Sequence, residues 1–399
     1  MRSSRKFLTF IIVLLVINTL FFLAWYAFDA QGRVKGLVER EAGKALKGKM
    51  RIGSFTISDQ QVFAEKISFA AADSSLNFTV DNARVRYNLL RYLFTGLKLR
   101  NLLDHVEIDK ADVRLILLPK AKKKTPQKFK LPDLKPLFNH LVITHSRFRA
   151  DASVPLKLGE EGILRAIEEL NRVELSIINT DVSHLDLSAV SAEGGSLKAK
   201  GVLDRGLLVS SQVELQNYRP LYLGHPRITD FSGTLDLVAN ASQKAVGATP
   251  DLSARLTLRD ASALVLDQYQ LQIQRLDLNT DGDRLNARIA QAKVGSSSLS
   301  GDVHAHSVLD HPVLDPSQLE LQLDLSLLGP QFSGLVDGTL YAEGPLSAPV
   351  LDLVAGADQI SFDKQSFQNI ALAASYDAEQ VELTLSDAVW QNQRVSLTG

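Results

Sequence analysis

The sequence contains no cysteine, which excludes disulfides, thiolate metal sites and cysteine nucleophiles together. The compartment stays open, because cysteine-free proteins occur in oxidising and reducing surroundings alike. Net charge is nearly absent too: 44 Lys and Arg stand against 45 Asp and Glu, a formal −1 at pH 7. That balance gives no electrostatic footprint for nucleic acid. There is no glycine-rich phosphate loop. The three consecutive serines Ser296, Ser297 and Ser298 have neither a base nearby nor the glycines of a nucleophile elbow. What remains is a composition that is 45% apolar and 22% charged, typical of an ordered chain. Its length suits one long repeat array or about two to three ordinary domains.

Residues 7–28 carry no charge and only three polar side chains, Thr9, Asn18 and Thr19. A helix of that length spans roughly 33 Å at about 1.5 Å per residue, enough for a hydrocarbon core of about 30 Å. Arg2, Arg5 and Lys6 precede it and Trp25 and Tyr26 end it, so the positive-inside rule and the aromatic belt place the N-terminus in the cytoplasm. A cleaved signal peptide would have a shorter apolar core, about 7–15 residues, and a small-x-small site; none is evident near Ala27 or Ala30. Residues 1–30 therefore read as cytoplasmic start and transmembrane anchor, with everything after them outside the cytoplasm. Residues 31–50 follow as an amphipathic stalk helix, with Val34, Leu37, Val38, Ala42, Ala45 and Leu46 at helical spacing and Gly48 as its stop.

From residue 51 to 118 the apolar period drops to two, giving a first β module, interrupted by a short helix or turn at residues 87–95. Residues 119–136 hold seven lysines among prolines, a self-repelling loop. Within it Lys122, Lys123 and Lys124 are candidates for contact with anionic headgroups. Residues 160–172 (EEGILRAIEELNR) have the stripe of an amphipathic helix, Ile163, Leu164, Ile167 and Leu170, placed to cap one end or edge of a sheet. The rest of 137–399 reads as strand after strand. Leu252, Leu256 and Leu258 alternate with Ser253, Thr257 and Arg259; Leu319, Leu321, Leu323 and Leu325 alternate with Gln318, Glu320, Gln322 and Asp324; Val381, Leu383 and Leu385 repeat the pattern. Each such strand has one oily and one wet face.

An internal repeat runs through this region. Residues 250–301 begin PDLSARLTL, pass through RLNARIA and end SLSG; residues 349–399 begin PVLDLVAGA, pass through QVELTLS and end SLTG. Repeats of this kind signal an array that grows by stacking units. The pattern stops within a unit, so the chain reads as the N-terminal part of a longer array. The oily faces must be hidden from water. A sandwich or closed barrel would hide them internally. A curved open sheet would leave a surface far beyond the few hundred Å² a soluble protein tolerates, and would need an apolar guest. Both solutions fit the pattern.

These segments resemble the AsmA-like superfamily. The first helix and stalk lead into RIGSFTI, FTVDNARVRYNLLRYLFTG and VEIDKADVRLIL, similar to that superfamily's opening module. GTLYAEGPLSAPVLDLVAGADQISF, FQNIALAASYDAEQVELTL and RVSLTG resemble the repeat of the TamB (translocation and assembly module) branch. The resemblance covers roughly residues 7–118 and 230–399. It implies a mainly β fold, an elongated repeating groove made of a curved, open antiparallel sheet with few short helices. It also implies an inner-membrane anchor, a periplasmic bulk and no enzymatic activity. The implied partners are phospholipid, the inner membrane and an outer-membrane barrel protein, with no nucleic acid and no cofactor. The implied function is shielding acyl chains for phospholipid transport between the two membranes. The alternative is a scaffold for barrel insertion by strand addition. The groove candidates are Leu252, Leu256, Leu258, Leu319, Leu321, Leu323, Leu325, Val381, Leu383 and Leu385.

Two other motifs carry less. Asp277, Asn279, Asp281, Gly282 and Asp283 open like a calcium loop, but its twelfth position is Arg288, where a bidentate acid is required; Asp-Gly instead marks a tight hairpin. His304 and His306 share one side of a strand and His311 follows, without an acid partner. They read as surface histidines, as do His140 and His145.

Overall fold

The computed structural model describes residues 30–58, 60–88, 103–117, 138–158, 160–205, 207–224, 228–245, 248, 251–266, 268–307, 312–363, 365–377, 380–390 and 393–398. They contain one α-helix, one 3₁₀ turn and 22 strands that are assigned to one sheet and pair antiparallel in every register given. The fold is thus mainly β. Chain contacts divide it into two compact units. The first contains the chain up to Leu117, Leu134–Ala150 and Asn171–Asp181; the second contains Leu118–Asp133, Asp151–Leu170 and Val182–Gly399.

The first unit begins with helix α1 (Ala30–Ala45), which ends in a turn at Leu46 and Lys47, earlier than the expected stop at Gly48. Lys47 takes a left-handed φ of 53°, and Gly48 already belongs to a strand. Two hydrogen bonds tie the helix to the segment that follows: the Ile52 amide donates to Glu39 Oε1 at 2.7 Å, and Lys35 Nζ donates to the Gly53 carbonyl at 2.8 Å. Strands β1 (Gly48–Arg51) and β2 (Ser54–Ile57) both pair with β3 (Gln61–Ala71). Then come β4 (Leu76–Tyr87) and β5 (Leu103–Leu117). Strands β6 (His140–Leu158) and β7 (Glu160–Asn179) contribute residues to both units. Period-two sequence puts apolar residues on one face, in cross-strand rows such as Val62–Val85–Val106 and Phe69–Phe78–Val113. The Phe69 and Phe78 rings stack at 5.1 Å.

The second unit continues with β8 (Ser183–Ser191), β9 (Ser196–Asp204) and β10 (Leu207–Tyr218). The short β11 (Tyr222–Gly224) pairs with β7, so β10 skips it and pairs with β12 (Ile228–Ser242). From there each strand pairs with the next: β13 (Asp251–Val265), β14 (Tyr269–Asp281), β15 (Arg284–Val294), β16 (Ser297–His306) and β17 (Val313–Asp324). The series continues with β18 (Phe332–Pro345), β19 (Val350–Phe362), β20 (Gln365–Asp377), β21 (Gln380–Trp390) and β22 (Gln393–Thr398). No pairing among the described strands returns β22 to β8, so the sheet is open. Asp281-Gly282-Asp283 is a hairpin turn, with Gly282 at φ 62°. The internal repeat maps strand for strand: β14, β15 and β16 begin at residues 269, 284 and 297, and β20, β21 and β22 begin at 365, 380 and 393, each 96 later.

One element differs outright from the sequence pattern. Residues 160–172 form no helix; they are the first part of β7. Tyr222 and Leu223 pair with Ile167 and Ala166, and the Ala192 amide donates to the Glu169 carbonyl at 2.8 Å. Helical spacing is a weak prior worth tenths of a kcal/mol per residue. Here it is overridden, because a strand in this position gives backbone groups of its neighbours a partner. The transmembrane segment expected at 7–28, most of the interruption at 87–95 and the lysine-rich loop lie outside the described residues. Among the described residues no helix is long and apolar enough to cross a membrane.

Two measurements check this architecture. Gly301 holds φ 136°, and a Cβ there would lie 2.3 Å from the Gln318 carbonyl. Gly301→Ala should therefore destabilise by about 1–3 kcal/mol in urea unfolding. Gly36, on α1 with nothing within 4 Å, should gain about 0.5–1 kcal/mol as Gly36→Ala. Separately, Tyr218 is only 7% exposed; burial first, and then the Glu168 carboxylate beside it, push its phenol well above the usual tyrosine range. A raised native pKa contributes stability that is complete below the unfolded value of about 10 and is lost as pH rises past it. Ultraviolet titration should show one of the 8 tyrosines ionising only with unfolding, a step that Tyr218→Phe removes.

Candidate functional site: the apolar face of the second unit

Paired residues in an antiparallel ladder put their side chains on the same face, so the register reads out each face directly. One row crosses ten strands without a polar residue: Leu235, Leu258, Leu276, Ile289, Gly301, Leu319, Leu340, Leu353, Ala374 and Leu383, from β12 to β21. A second runs from β8 to β16 through Ala189, Leu197, Leu215, Leu237, Leu256, Leu278, Ala287 and Val303. A third runs from β16 to β21 through Leu299, Leu321, Gly338, Ala355, Leu372 and Leu385. All three lie on one face.

The next row along the same ten strands is the opposite in chemistry. It reads Asp236, Thr257, Asp277, Arg288, Asp302, Gln318, Tyr341, Asp352, Ser375 and Glu382. Short cross-strand and same-strand bonds stitch it and its neighbours. Asp277 accepts from Thr257 Oγ1 at 2.7 Å and from Arg275 Nε at 2.7 Å. The Arg275 guanidinium, and then the Thr257 hydroxyl, hold the Asp277 carboxyl below its usual range. Arg259 pairs with Asp236, and Gln322 donates to Asp337 Oδ1 at 2.8 Å. This face is built to be wet.

The apolar face is not sealed by the described residues. No large side chain among the described residues is completely enclosed, and the buried apolar residues of this unit are few. In β13 only Leu258, Ala261 and Ala263 are buried. Inner-face residues of a sandwich meet a second sheet about 10 Å away and close it off. Here Leu256, Leu276, Leu278, Ile289, Leu319, Leu321 and Leu340 remain half-buried, shielded by their neighbours in the row and by little else. Leu252, Leu383 and Val381 are exposed to 40%, 38% and 68%.

Nine of the ten residues singled out from the sequence share this face: Leu252, Leu256 and Leu258 on β13, Leu319, Leu321 and Leu323 on β17, and Val381, Leu383 and Leu385 on β21. Leu325 does not continue β17. It opens a 3₁₀ turn, Leu325–Leu328, capped by Asp324, whose carboxylate accepts from the Ser326 amide at 2.9 Å. That cap ends the alternation, which explains the departure. Lys122, Lys123 and Lys124 lie outside the described residues. The sequence reading missed the apolar residues of the intervening strands, although RLNARIAQAKV on β15 alternates as clearly as any. It also missed Ala261 and Ala263, because Asp260 sits at φ 49°. An extra residue in this conformation shifts the pleat by one, so the inward set passes from even numbers to odd.

The expected lack of an acid partner does not hold for His306, which meets Asp315 Oδ1 at 2.8 Å across β16 and β17, while His304 meets Asn286 Oδ1 at 2.7 Å; these are separate surface pairs rather than one cluster. Two depressions of about 570 and 410 Å³ open on the polar face, one around Glu320 and Asp337 and one around Gln272 and Lys293. Among the described residues no three His, Asp or Glu side chains gather as a metal site. What the arrangement can do chemically is solvate apolar matter along one face while keeping the other in water. No family model matches the chain, and no curated protein matches it.

Proposed function

We propose that this chain is an AsmA-like, TamB-type envelope protein that shields phospholipid acyl chains on the apolar face of its second unit. Residues 7–28 anchor it in the inner membrane with the N-terminus in the cytoplasm. The remainder lies in the periplasm and hands lipid between the inner and outer membranes without catalysing a reaction. The supporting observation is the apolar row of ten strands, over which no layer of the described residues closes. An acyl chain laid along such a row loses water at about 0.8 kcal/mol per methylene. Because the rows cross successive strands, a chain can move from one residue to the next without leaving apolar surroundings. Headgroups remain in water, and the passage needs no energy from this chain itself. The partners on this reading are phospholipid, the inner membrane and, at the far membrane, a barrel protein.

Leu323 is half-buried on β17 and paired with Val336, at a point where a charge faces the row but displaces no closed core. Leu323→Asp should reduce crosslinking of a photoactivatable phospholipid to the chain roughly thirty-fold, the equivalent of about 2 kcal/mol or two to three methylenes. Gln318→Asp, on the polar face of the same strand, should leave it unchanged. Equal labelling of wild type and Leu323→Asp would sink the proposal. Unchanged lipid labelling with capture of extended outer-membrane strands would put the strand-addition role in its place.

A further inference from the structure

The polar face of the first unit holds a depression of about 520 Å³ that the lipid reading does not use. Two adjacent rows build it. One is Lys49, Ala70, Asn77 and Arg114; the other is Arg51, Ser68, Thr79 and Asp112, each running β1, β3, β4, β5. On this face the central strands carry short side chains, a methyl, an amide and two hydroxyls, while Phe69 and Phe78, which alternate to the other face, complete the lining. The outer strands supply long ones, two cations on β1 and one on β5. Short residues flanked by long ones make a trough, with β1 and β5 about 14 Å apart at about 4.8 Å per strand step.

Among the described residues, the three cations of this trough are not used in ion pairs. Lys49, Arg51 and Arg114 make no ion pair with any described carboxylate. Other arginines of the described surface are paired, as Arg84 is with Glu107 and Arg165 with Asp151. Among the described lining residues Asp112 is the one acid, leaving their net charge at +2 from three cations and one carboxylate. The floor donors Ser68, Asn77 and Thr79 can each turn toward an acceptor. Cations at both walls and neutral donors between them match a tetrahedral oxyanion. Arginine's planar fork suits phosphate in particular.

We propose that this trough binds a phosphate ester, with Arg51 and Arg114 as the opposed charged contacts, Lys49 adding charge, and Ser68, Asn77 and Thr79 donating from the floor. Asp112 opposes binding and so limits affinity, which suits a ligand that must be released. The bound group belongs either to a soluble phosphate monoester or to an anionic phospholipid headgroup; the chemistry is the same.

The full chain in neutral detergent separates these sources by titration with glycerol 3-phosphate, and with mixed micelles of phosphatidylglycerol or zwitterionic phosphatidylcholine. Asp112→Asn should tighten binding about three- to ten-fold, a gain that misfolding cannot produce. The pair Arg51→Gln and Arg114→Gln should weaken it at least about ten-fold. Both effects with glycerol 3-phosphate support the site and a soluble ligand. Both effects with phosphatidylglycerol micelles alone support the site and assign it to a headgroup. No binding of either probe, or binding indifferent to these variants, overturns it. Leu323→Asp should leave phosphate binding intact, so failure here is distinct from failure of the lipid proposal.

Discussion

The second unit depends on one asymmetry of solvation. Its strands satisfy their backbone groups sideways, each with the next, so the sheet needs no second layer for hydrogen bonding. It does need something for its apolar face. A mostly leucine row ten strands long, backed by a row of charged and polar residues led by aspartates, is an amphipathic surface rather than half of a core. In a sandwich the same residues would be sealed; here most stay half-buried and Val381 is 68% exposed. The described part of the folded chain therefore leaves apolar surface in contact with solvent, which on the proposed reading an acyl chain covers.

The bulges serve the same end. Left-handed residues such as Lys66, Lys110 and His145 in the first unit, and Asn217, Asp260 and Asn369 in the second, recur within strands rather than only at turns. A left-handed residue inside a strand can reset the pleat by one. In β13 the reset keeps Leu258, Ala261 and Ala263 on one side, so the face stays apolar through the irregularity. The depressions on the polar face arise from another cause, side chains of unequal length on neighbouring strands, and the one in the first unit gathers unpaired cations.

Much of this was legible in the amino-acid sequence where alternation is strict. Leu252 to Leu258 and Leu319 to Leu323 announce strand and face at once, because period two has no helical counterpart. The repeat was legible as well, and its matched segments become matched strands, β14 to β16 and β20 to β22. Two things were hidden. EEGILRAIEELNR carries a helical stripe, and only its neighbours, Tyr222 and Leu223 across from Ile167 and Ala166, decide for strand. The trough in the first unit could not be read at all, since Arg51 and Arg114 come together only through the register of β1, β3, β4 and β5. Alternation tells which face a residue takes; it does not tell which residues of other strands stand beside it.

Whether the face is open to acyl chains can be measured along its length. The absence of native cysteine lets single labels be placed cleanly at Ala287, Leu321 and Leu372 on the apolar rows, and at Arg288, Gln318 and Ser375 on the polar row. The full chain, fluorescently labelled at one position at a time, is mixed with phospholipid brominated on its acyl chains. Quenching at all three apolar positions and at none of the polar ones is the predicted result. Apolar-face labels that stay bright, or quenching equal on both faces, would contradict an uncovered apolar face that takes up acyl chains.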